Sequence, residues 1–338
     1  MQRIPHAEML DLFTQILLSR GFTPDRARET ATIFTDNTCD GVPSHGLHRF
    51  PGFVQDIDKG RVDPAADATC SAAFGALEQW DANRGPGVLT ATTAMARAVE
   101  IAQDSTLGCV ALRNANHWMR AATYGLQAAA ADCLAISWTN TTRLMPPHGS
   151  AEKRLGNNPL CIAVPSPDGD TVLLDMAISQ FSGGRTDTLR RTGESFPAPG
   201  GYDEAGQLTT DPGAVRRSGR PLPIGYWKGS GLALCLDLLA TLLSGGSATW
   251  QIAGDGANIG VGCTQVFIAF DLASIDDGRS KEETVASILA DLGSAAPLEG
   301  EKVTYPGQRS ADTRRLNLAE GIPVDAEIWQ EACGMLPT

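Results

Sequence analysis

The chain predicts a mixed α/β fold (α+β): a strand-and-helix lobe beside a helical lobe formed by the two ends of the chain. Three observations lead there. The 338 residues exceed the roughly 250 to 300 at which a single core stops growing, so more than one packed body is expected. About the first seventy residues carry helical apolar spacing and no strand-like run. From Gly75 onward, short apolar runs of strand length alternate with helical periodicities. The expected division is residues 1–72 with 296–338 for the helical lobe and 73–295 for the α/β lobe.

Residues 6–20 place Met9, Leu10, Phe13, Ile16 and Leu17 on one helical face, and Gly21 suits a left-handed stop. A second helix is expected from Thr23, with Pro24 at its first position, to about Thr38. Beyond Gly75, Leu89 to Gln103 reads as helix, CVALRN as a buried strand, Ala121 to Ala131 as helix and CLAISWTN as another strand. LCIAVP and TVLLDMA flank the polar turn SPDGD, which predicts a hairpin-like pair. Gly183 to Pro223 is rich in Gly, Pro and Arg with little periodicity, and is expected to be a long loop excursion near a site or a subunit contact. GYWKGSGLALCLDLLATLLSGG predicts an apolar helix ending at Gly245 and Gly246, followed by the strand TQVFIAFDL. Ser280 and Glu283 form a capping-box pattern ahead of Val285, Ile288, Leu289 and Leu292, and the tail after Gly307 is helical and charged.

A net charge of -12 argues against a nucleic-acid partner, whose binding depends on Lys and Arg neutralising phosphates. No basic-then-apolar leader opens the sequence and no run approaches the roughly 18 apolar residues of a membrane span, so a cytoplasmic protein with no membrane partner is expected. The eight cysteines, Cys39, Cys70, Cys109, Cys133, Cys161, Cys235, Cys263 and Cys333, are scattered without a CxxC, which disfavours zinc and disulfide frameworks. Cys109, Cys133, Cys161 and Cys235 lie in apolar runs and are expected to behave as small hydrophobes.

The usual phosphate fingerprints are missing. No GxxxxGK[ST] occurs, and GDGANIG at 254–260 precedes a strand instead of a helix, so it reads as a loop and disfavours an ordinary dinucleotide fold. Lys228, Gly229, Ser230 and Gly231 precede the long apolar helix, whose first N–H groups are expected to be unpaired and available to an anion. The competing reading is that these glycines only allow close packing.

The chemistry concentrates on two of the five histidines. PSHGLHRFPGF carries Ser44, His45, His48 and Arg49, and RNANHWMRAATYG carries Asn116 and His117. Imidazole titrates near neutral pH, and its neighbours here are hydroxyl, amide and guanidinium groups. Reducing a ketone with a nicotinamide hydride leaves an alkoxide that needs a proton, which His45 can give and take back. Ser44 can hydrogen-bond the carbonyl or the ring, and Arg49 can clamp a carboxylate with paired N–H bonds. A surface salt bridge with Asp56 or Asp58 is the alternative for Arg49. A metal-dependent hydrolase using Asp40, His45 and His48 is a distant alternative, since the spacing lacks HExxH logic. A non-catalytic binding protein would not need the paired histidine segments.

These residues together resemble the malate/L-lactate dehydrogenase type 2 oxidoreductases. The likeness rests on Ser44-His45-Gly46 with Arg49 and Phe50, on NANHWMRAATYG, on the Gly156 to Pro159 turn, on LLDMAISQFS and on GYWKGSG, and it runs from about residue 6 to residue 331. It implies an NADH-dependent reductase of a 2-keto acid, most similar to the members that act on a keto sugar acid. NADPH is the other cofactor candidate, and no metal is implied. It also implies a non-Rossmann nicotinamide-binding sheet in the 73–295 lobe and a homodimer whose subunits both shape the site. His45 matches the family's proton donor, while in relatives the residue matching His117 has a similar acid-base role. Cofactor contacts fall on Thr171, Val172, Leu173, Leu174, Asp175, Met176, Ala177, Trp227, Lys228, Gly307, Gln308 and Arg309, with Thr141 as a further one. Substrate contacts fall on Arg49, Asn116 and His148. Two departures bear on substrate. Asn157 replaces a threonine in the family's Gly-Thr-Asn-Pro turn, and His148 stands where the sugar-acid reductases carry an aromatic residue. Siblings acting on malate, lactate, sulfolactate or ureidoglycolate keep a 2-hydroxy acid dehydrogenase as the alternative within the family.

Overall fold

The computed structural model describes residues 2–166, 170–252, 261–275 and 278–336. In chain order its elements are β1 (Gln2–Ile4), α1 (His6–Leu18), α2 (Pro24–Cys39), a single 3-10 turn (Pro43–His45), α3 (Phe50–Asp58), β2 (Thr69–Phe74), β3 (Leu77–Asp81), α4 (Gly87–Ser105), β4 (Leu107–Ala115), α5 (Ala122–Ala129), β5 (Cys133–Thr139), β6 (Leu160–Val164) and β7 (Val172–Met176). There follow α6 (Gly183–Thr192), β8 (Gly201–Tyr202), β9 (Leu208–Thr209), α7 (Pro212–Ser218), β10 (Arg220–Pro221), α8 (Trp227–Ser244), β11 (Cys263–Asp271), α9 (Lys281–Gly293), α10 (Gln308–Glu320), β12 (Ile322–Val324) and α11 (Ala326–Cys333).

The two chain ends share one apolar core. Phe13 of α1 stacks on Phe50 of α3 with ring centroids 3.8 Å apart, and Phe34 of α2 meets Phe50 edge-on at 5.2 Å. β1 pairs antiparallel with β12, and Trp329 and Ala332 of α11 are buried in the same cluster.

A seven-stranded sheet in the order β2-β3-β4-β11-β5-β6-β7 lies at the centre of the other part. β3 and β4 are parallel, joined by α4, because a parallel pair needs a crossover. β6 and β7 form the expected antiparallel pair, with Leu160 opposite Met176 and Val164 opposite Val172. Strand alternation explains why β4 and β11 read as nearly continuous apolar runs. Val110 and Leu112 point to the side of α4 and α5, while Cys109 and Ala111 point to the side of α8, so both faces are covered. Among the described residues no helix is long and apolar enough to cross a membrane.

The fold departs from the expectations in three places. Residues 183–223 are not a structureless excursion: α6 and α7 pack with the small sheet β10-β8-β9 around Leu189, Phe196 and Val215, and Phe181 stacks on Phe196 at 4.5 Å. Its strands are two residues each, too short to display a period of two. Cys235 is exposed on α8 instead of buried. Ser280 Oγ accepts from the Glu283 N–H at 3.1 Å as the capping pattern predicts, yet α9 buries none of its side chains. The GDGANIG segment and the middle of the SPDGD turn lie outside the described residues.

Candidate active site

The His45 segment is held against the end of α2. A Cβ on Gly46 would fall 2.2 Å from Thr38 Oγ1 and 2.7 Å from the Phe34 carbonyl, so the chain can pass this close to the helix only without a side chain. The Leu47 N–H donates to Thr38 Oγ1 at 2.9 Å and Asn37 Nδ2 donates to the His45 carbonyl at 3.1 Å. Ser44 Oγ lies 3.1 Å from His45 Nδ1.

The His117 segment leaves the end of β4. Asn116 Nδ2 donates to the carbonyls of Arg84 and Gly85, both at 2.9 Å, and the Asn116 carbonyl accepts from Gln265 Nε2 at 3.0 Å. Its donor end therefore braces the 84–85 turn and is not free for substrate; Asn116 Oδ1 is buried without a protein partner. Met119 adopts φ +64°, and its N–H donates to His117 Nδ1 at 2.9 Å. These two segments bring the His45 and His117 rings to 5.8 Å between centroids, inclined by 23°. Arg49, Asp56, Asn116, His117 and Met119 line one narrow cleft, while Asp56 pairs with Arg61 and Asp58 with Arg20. A wider cleft of about 460 Å³ between α2, α4 and α5 contains neither histidine.

Burial, reinforced by the Arg49 and Arg120 guanidiniums, lowers His45 from 6.5 to about 4. Burial, then Arg49 and His45, hold His117 well below the usual imidazole range. Both rings are accordingly neutral near pH 7 in the free protein.

Sequence reasoning missed what locks the two segments together. The Arg120 guanidinium pairs with the Asp40 carboxylate, both nearly buried at 6% and 8% exposure, and donates to Ser310 Oγ at 3.0 Å. Arg120 Nε lies 3.8 Å from Asp175 on β7, Ser310 donates to the Asp40 carbonyl at 2.9 Å, and Arg314 pairs with Asp40 at 2.9 Å. The available signal was an arginine in the otherwise apolar run after His117. The metal-hydrolase alternative loses a ligand here, because Asp40 is engaged by two guanidiniums. His48 feels burial first and then the charges of Asp325 and Arg191, which pair with each other at 3.5 Å.

The residues the resemblance assigned to a cofactor fall into two groups. Gly307, at φ +97°, lies so close to β7 that a Cβ would be 2.8 Å from the Thr171 carbonyl, and the Leu173 N–H donates to the Pro306 carbonyl at 2.9 Å. The stretches 171–177 and 307–309 are thus neighbours, with Asp175 reaching the Ala122 N–H at 3.0 Å. Thr141 belongs to the other group: its hydroxyl donates to Asn157 Oδ1 at 3.0 Å and its N–H to Asn158 Oδ1 at 3.0 Å. Asn158 Nδ2 reaches the Ala233 carbonyl of α8 at 2.8 Å, and the Ile224 N–H reaches the Ile178 carbonyl at 2.8 Å. Asn157, the departure from the family turn, therefore supplies the acceptor for Thr141.

The expected row of unpaired N–H groups at the start of α8 is not there. Lys228 N–H donates to the Gly225 carbonyl, Gly229 N–H to Ile224 and Ser230 N–H to Tyr226, at 3.2, 2.8 and 3.1 Å. A Cβ on Gly229 would sit 2.2 Å from the Ile224 carbonyl, so this glycine serves close packing. What remains for an anion is the exposed Lys228 side chain beside Trp227, itself 64% exposed. His148 joins this group and not the histidine pair: its N–H donates to Ser230 Oγ at 3.0 Å.

Comparison with known proteins assigns this fold to a class of dehydrogenases. The family model for malate/L-lactate dehydrogenase matches residues 4–332, so the chain belongs to that family of NAD(P)-dependent oxidoreductases. It is 40% identical over 328 residues to the 2,3-diketo-L-gulonate reductase of Klebsiella pneumoniae (strain 342), covering 97% of this chain and 98% of that one. The enzyme of that name from Citrobacter koseri is also 40% identical, over 329 residues, with the same 97% and 98% coverage. Among solved structures, sulfolactate dehydrogenase from Methanocaldococcus jannaschii superposes with a TM-score of 0.90 at 28% identity, covering 99% and 96% of the two chains. Malate dehydrogenase from Pyrococcus horikoshii OT3 gives 0.88 at 26%, covering 99% and 94%.

Proposed function

We propose that the protein uses NADH to reduce a 2-keto sugar acid, 2,3-diketo-L-gulonate or a close analogue, to 3-dehydro-L-gulonate or the corresponding 2-hydroxy acid, and that it works as a homodimer. The observation that carries the reading is the pairing of His45 and His117 at 5.8 Å beside Arg49. The identity to the diketogulonate reductases supports the substrate.

The residues fit the cofactor. An anionic dinucleotide needs cations and a flat apolar face, and exposed Lys228, Trp227 and Arg309 offer them on a non-Rossmann scaffold where the N–H groups of Lys228, Gly229 and Ser230 are already bonded. When bound, the nicotinamide supplies a hydride to the carbonyl carbon. Arg49 clamps the substrate carboxylate, and Ser44 orients the His45 ring through the contact at Nδ1. In the free protein His45 is held neutral first by burial and then by repulsion from Arg49 and Arg120. A carboxylate on Arg49 offsets that repulsion and lets the imidazole take up the proton it then donates. His148, whose backbone N–H is bonded to Ser230 of α8, would bear on substrate size from the Trp227–Lys228 side of the site and not from the histidine pair.

The likeness to sulfolactate dehydrogenase supports a second reading, a smaller 2-hydroxy acid as substrate. One assay separates them: NADH oxidation with 2,3-diketo-L-gulonate, pyruvate, oxaloacetate and sulfopyruvate. Faster turnover of the sugar acid is expected, and a clear preference for a three- or four-carbon acid would move the protein to the second reading. In the same assay Arg49→Lys should lower kcat/KM by about ten- to a hundredfold, since a charged bidentate contact is worth roughly 1.5 to 3 kcal/mol. Unchanged kinetics would remove Arg49 from the site.

A further inference from the structure

We infer that His117 keeps its proton throughout the reaction and acts as a neutral hydrogen-bond donor, through Nε2–H, to the carbonyl oxygen, with the Met119 backbone fixing its tautomer. Proton exchange then belongs to His45 alone. The inference rests on the keto-acid reduction proposed above and gives His117 a part different from the acid-base role that the resemblance carries over to it.

The tautomer follows from one contact. A neutral imidazole has one N–H and one lone pair in its plane, and the Met119 N–H points at Nδ1 from 2.9 Å, which uses the lone pair there. The proton of His117 is therefore on Nε2. Protonating Nδ1 as well would set two N–H donors against each other at that distance. The backbone has little room to turn its N–H away. Met119 is held at φ +64°, a conformation that costs a non-glycine residue energy, and the next residue, Arg120, is anchored to Asp40 and Ser310. Burial and the neighbouring Arg49 oppose a positive charge on the ring as well. Loss of the Nε2 proton is no easier, because it would leave a buried imidazolate anion.

His45 is built differently. Its Nδ1 faces Ser44 Oγ at 3.1 Å, and a hydroxyl can either donate to a bare nitrogen or accept from a protonated one. The contact survives both charge states, so the ring can cycle between them. During reduction the carbonyl carbon gains a hydride and the C=O π pair moves to oxygen. That oxygen takes the proton of the His45 imidazolium, which returns to neutral imidazole, and the nicotinamide is left oxidised. His117 Nε2–H donates to the same oxygen and stabilises the charge that develops on it, a role open to a neutral imidazole.

The test has a readout in the protein itself. With ring-¹⁵N histidine label, His117 should remain an Nε2–H tautomer with a bare Nδ1 from pH 5 to 9, with and without NADH. Its resonances are assigned from His117→Gln, or by elimination with single variants of the other four histidines. An Nδ1–H tautomer, or an imidazolium form anywhere in that range, would overturn the inference. In turnover, wild-type kcat/KM for reduction should fall with rising pH as the His45 imidazolium is lost. His117→Gln, which restores an N–H near the Nε2 position, should keep that pH limb and stay within about tenfold of wild type. His117→Ala should lose about a hundredfold or more, the usual cost of one donor to a developing oxyanion. His45→Gln should lose the limb itself. A limb that vanished in His117→Gln and persisted in His45→Gln would reverse the roles. If no keto acid were reduced at all, the proposed function would fall, while the tautomer measurement would still decide the state of His117.

Discussion

A half-buried imidazole gives one residue of the proposed site a pH-dependent part in stability. His45 titrates near 6.5 when unfolded but is held to about 4 in the fold by burial and by Arg49 and Arg120. Between those values the unfolded chain binds more protons, so stability rises with pH: the contribution is complete above about 6.5 and is lost as pH falls toward 4. At about 1.36 kcal/mol per pKa unit, and with partial solvent access reducing it, the loss amounts to no more than about 3 kcal/mol. Urea unfolding at pH 7, 5.5 and 4.5 should show wild type losing about 1 to 3 kcal/mol more than His45→Gln, and parallel losses would contradict the assignment. At this scale the sequence was informative where polar residue types cluster: Ser44, His45, Arg49 and His117 stand out by composition alone. Asp40 and Arg120 do not stand out as a pair, because they are separated by 80 positions, even though an arginine in an apolar run hints at a buried partner.

Between elements, Asp40 is the junction. It closes α2, ties the His117 segment through Arg120 and draws in α10 through Arg314 and Ser310. Removing one member of a buried ion pair leaves an uncompensated charge, which costs about 3 to 5 kcal/mol. Asp40→Asn, close in shape, should lose about that much in chemical unfolding, and its kcat should fall more than KM rises, because the histidine rings lose their mutual position while Arg49 keeps its carboxylate contact. A change below about 1 kcal/mol would make the pair a bystander. The longer helices were legible because their apolar spacing repeats over several turns; α2 starts at Pro24 as its cap pattern implies. The small sheet β10-β8-β9 was not, since two-residue strands are made by tertiary contacts. Nor could spacing show that the start of α8 is already satisfied by the Ile224–Tyr226 turn.

Over the whole molecule, strand order is what local pattern cannot supply: β11 inserts between β4 and β5, far from both in sequence, and only long-range packing selects that place. The same packing leaves α8 with a second apolar face. Its inner side meets β4 and β11 through Ala233, Leu236 and Ala240, while Leu234, Leu238 and Leu242, one helical turn apart, are 49%, 51% and 74% exposed with Leu239 beside them. In the proposed homodimer this exposed leucine row is the face on which the second copy would sit. Each chain carries a net charge of -12, so the copies repel and association should tighten as salt screens them. Sedimentation should find wild type at twice the chain mass, more completely at 0.5 M than at 0.05 M salt. Leu238→Glu combined with Leu242→Glu should give a folded monomer, because dimerisation would bury unpaired carboxylates. A monomeric wild type, or a double variant that stayed dimeric, would show that α8 is not where the copies meet.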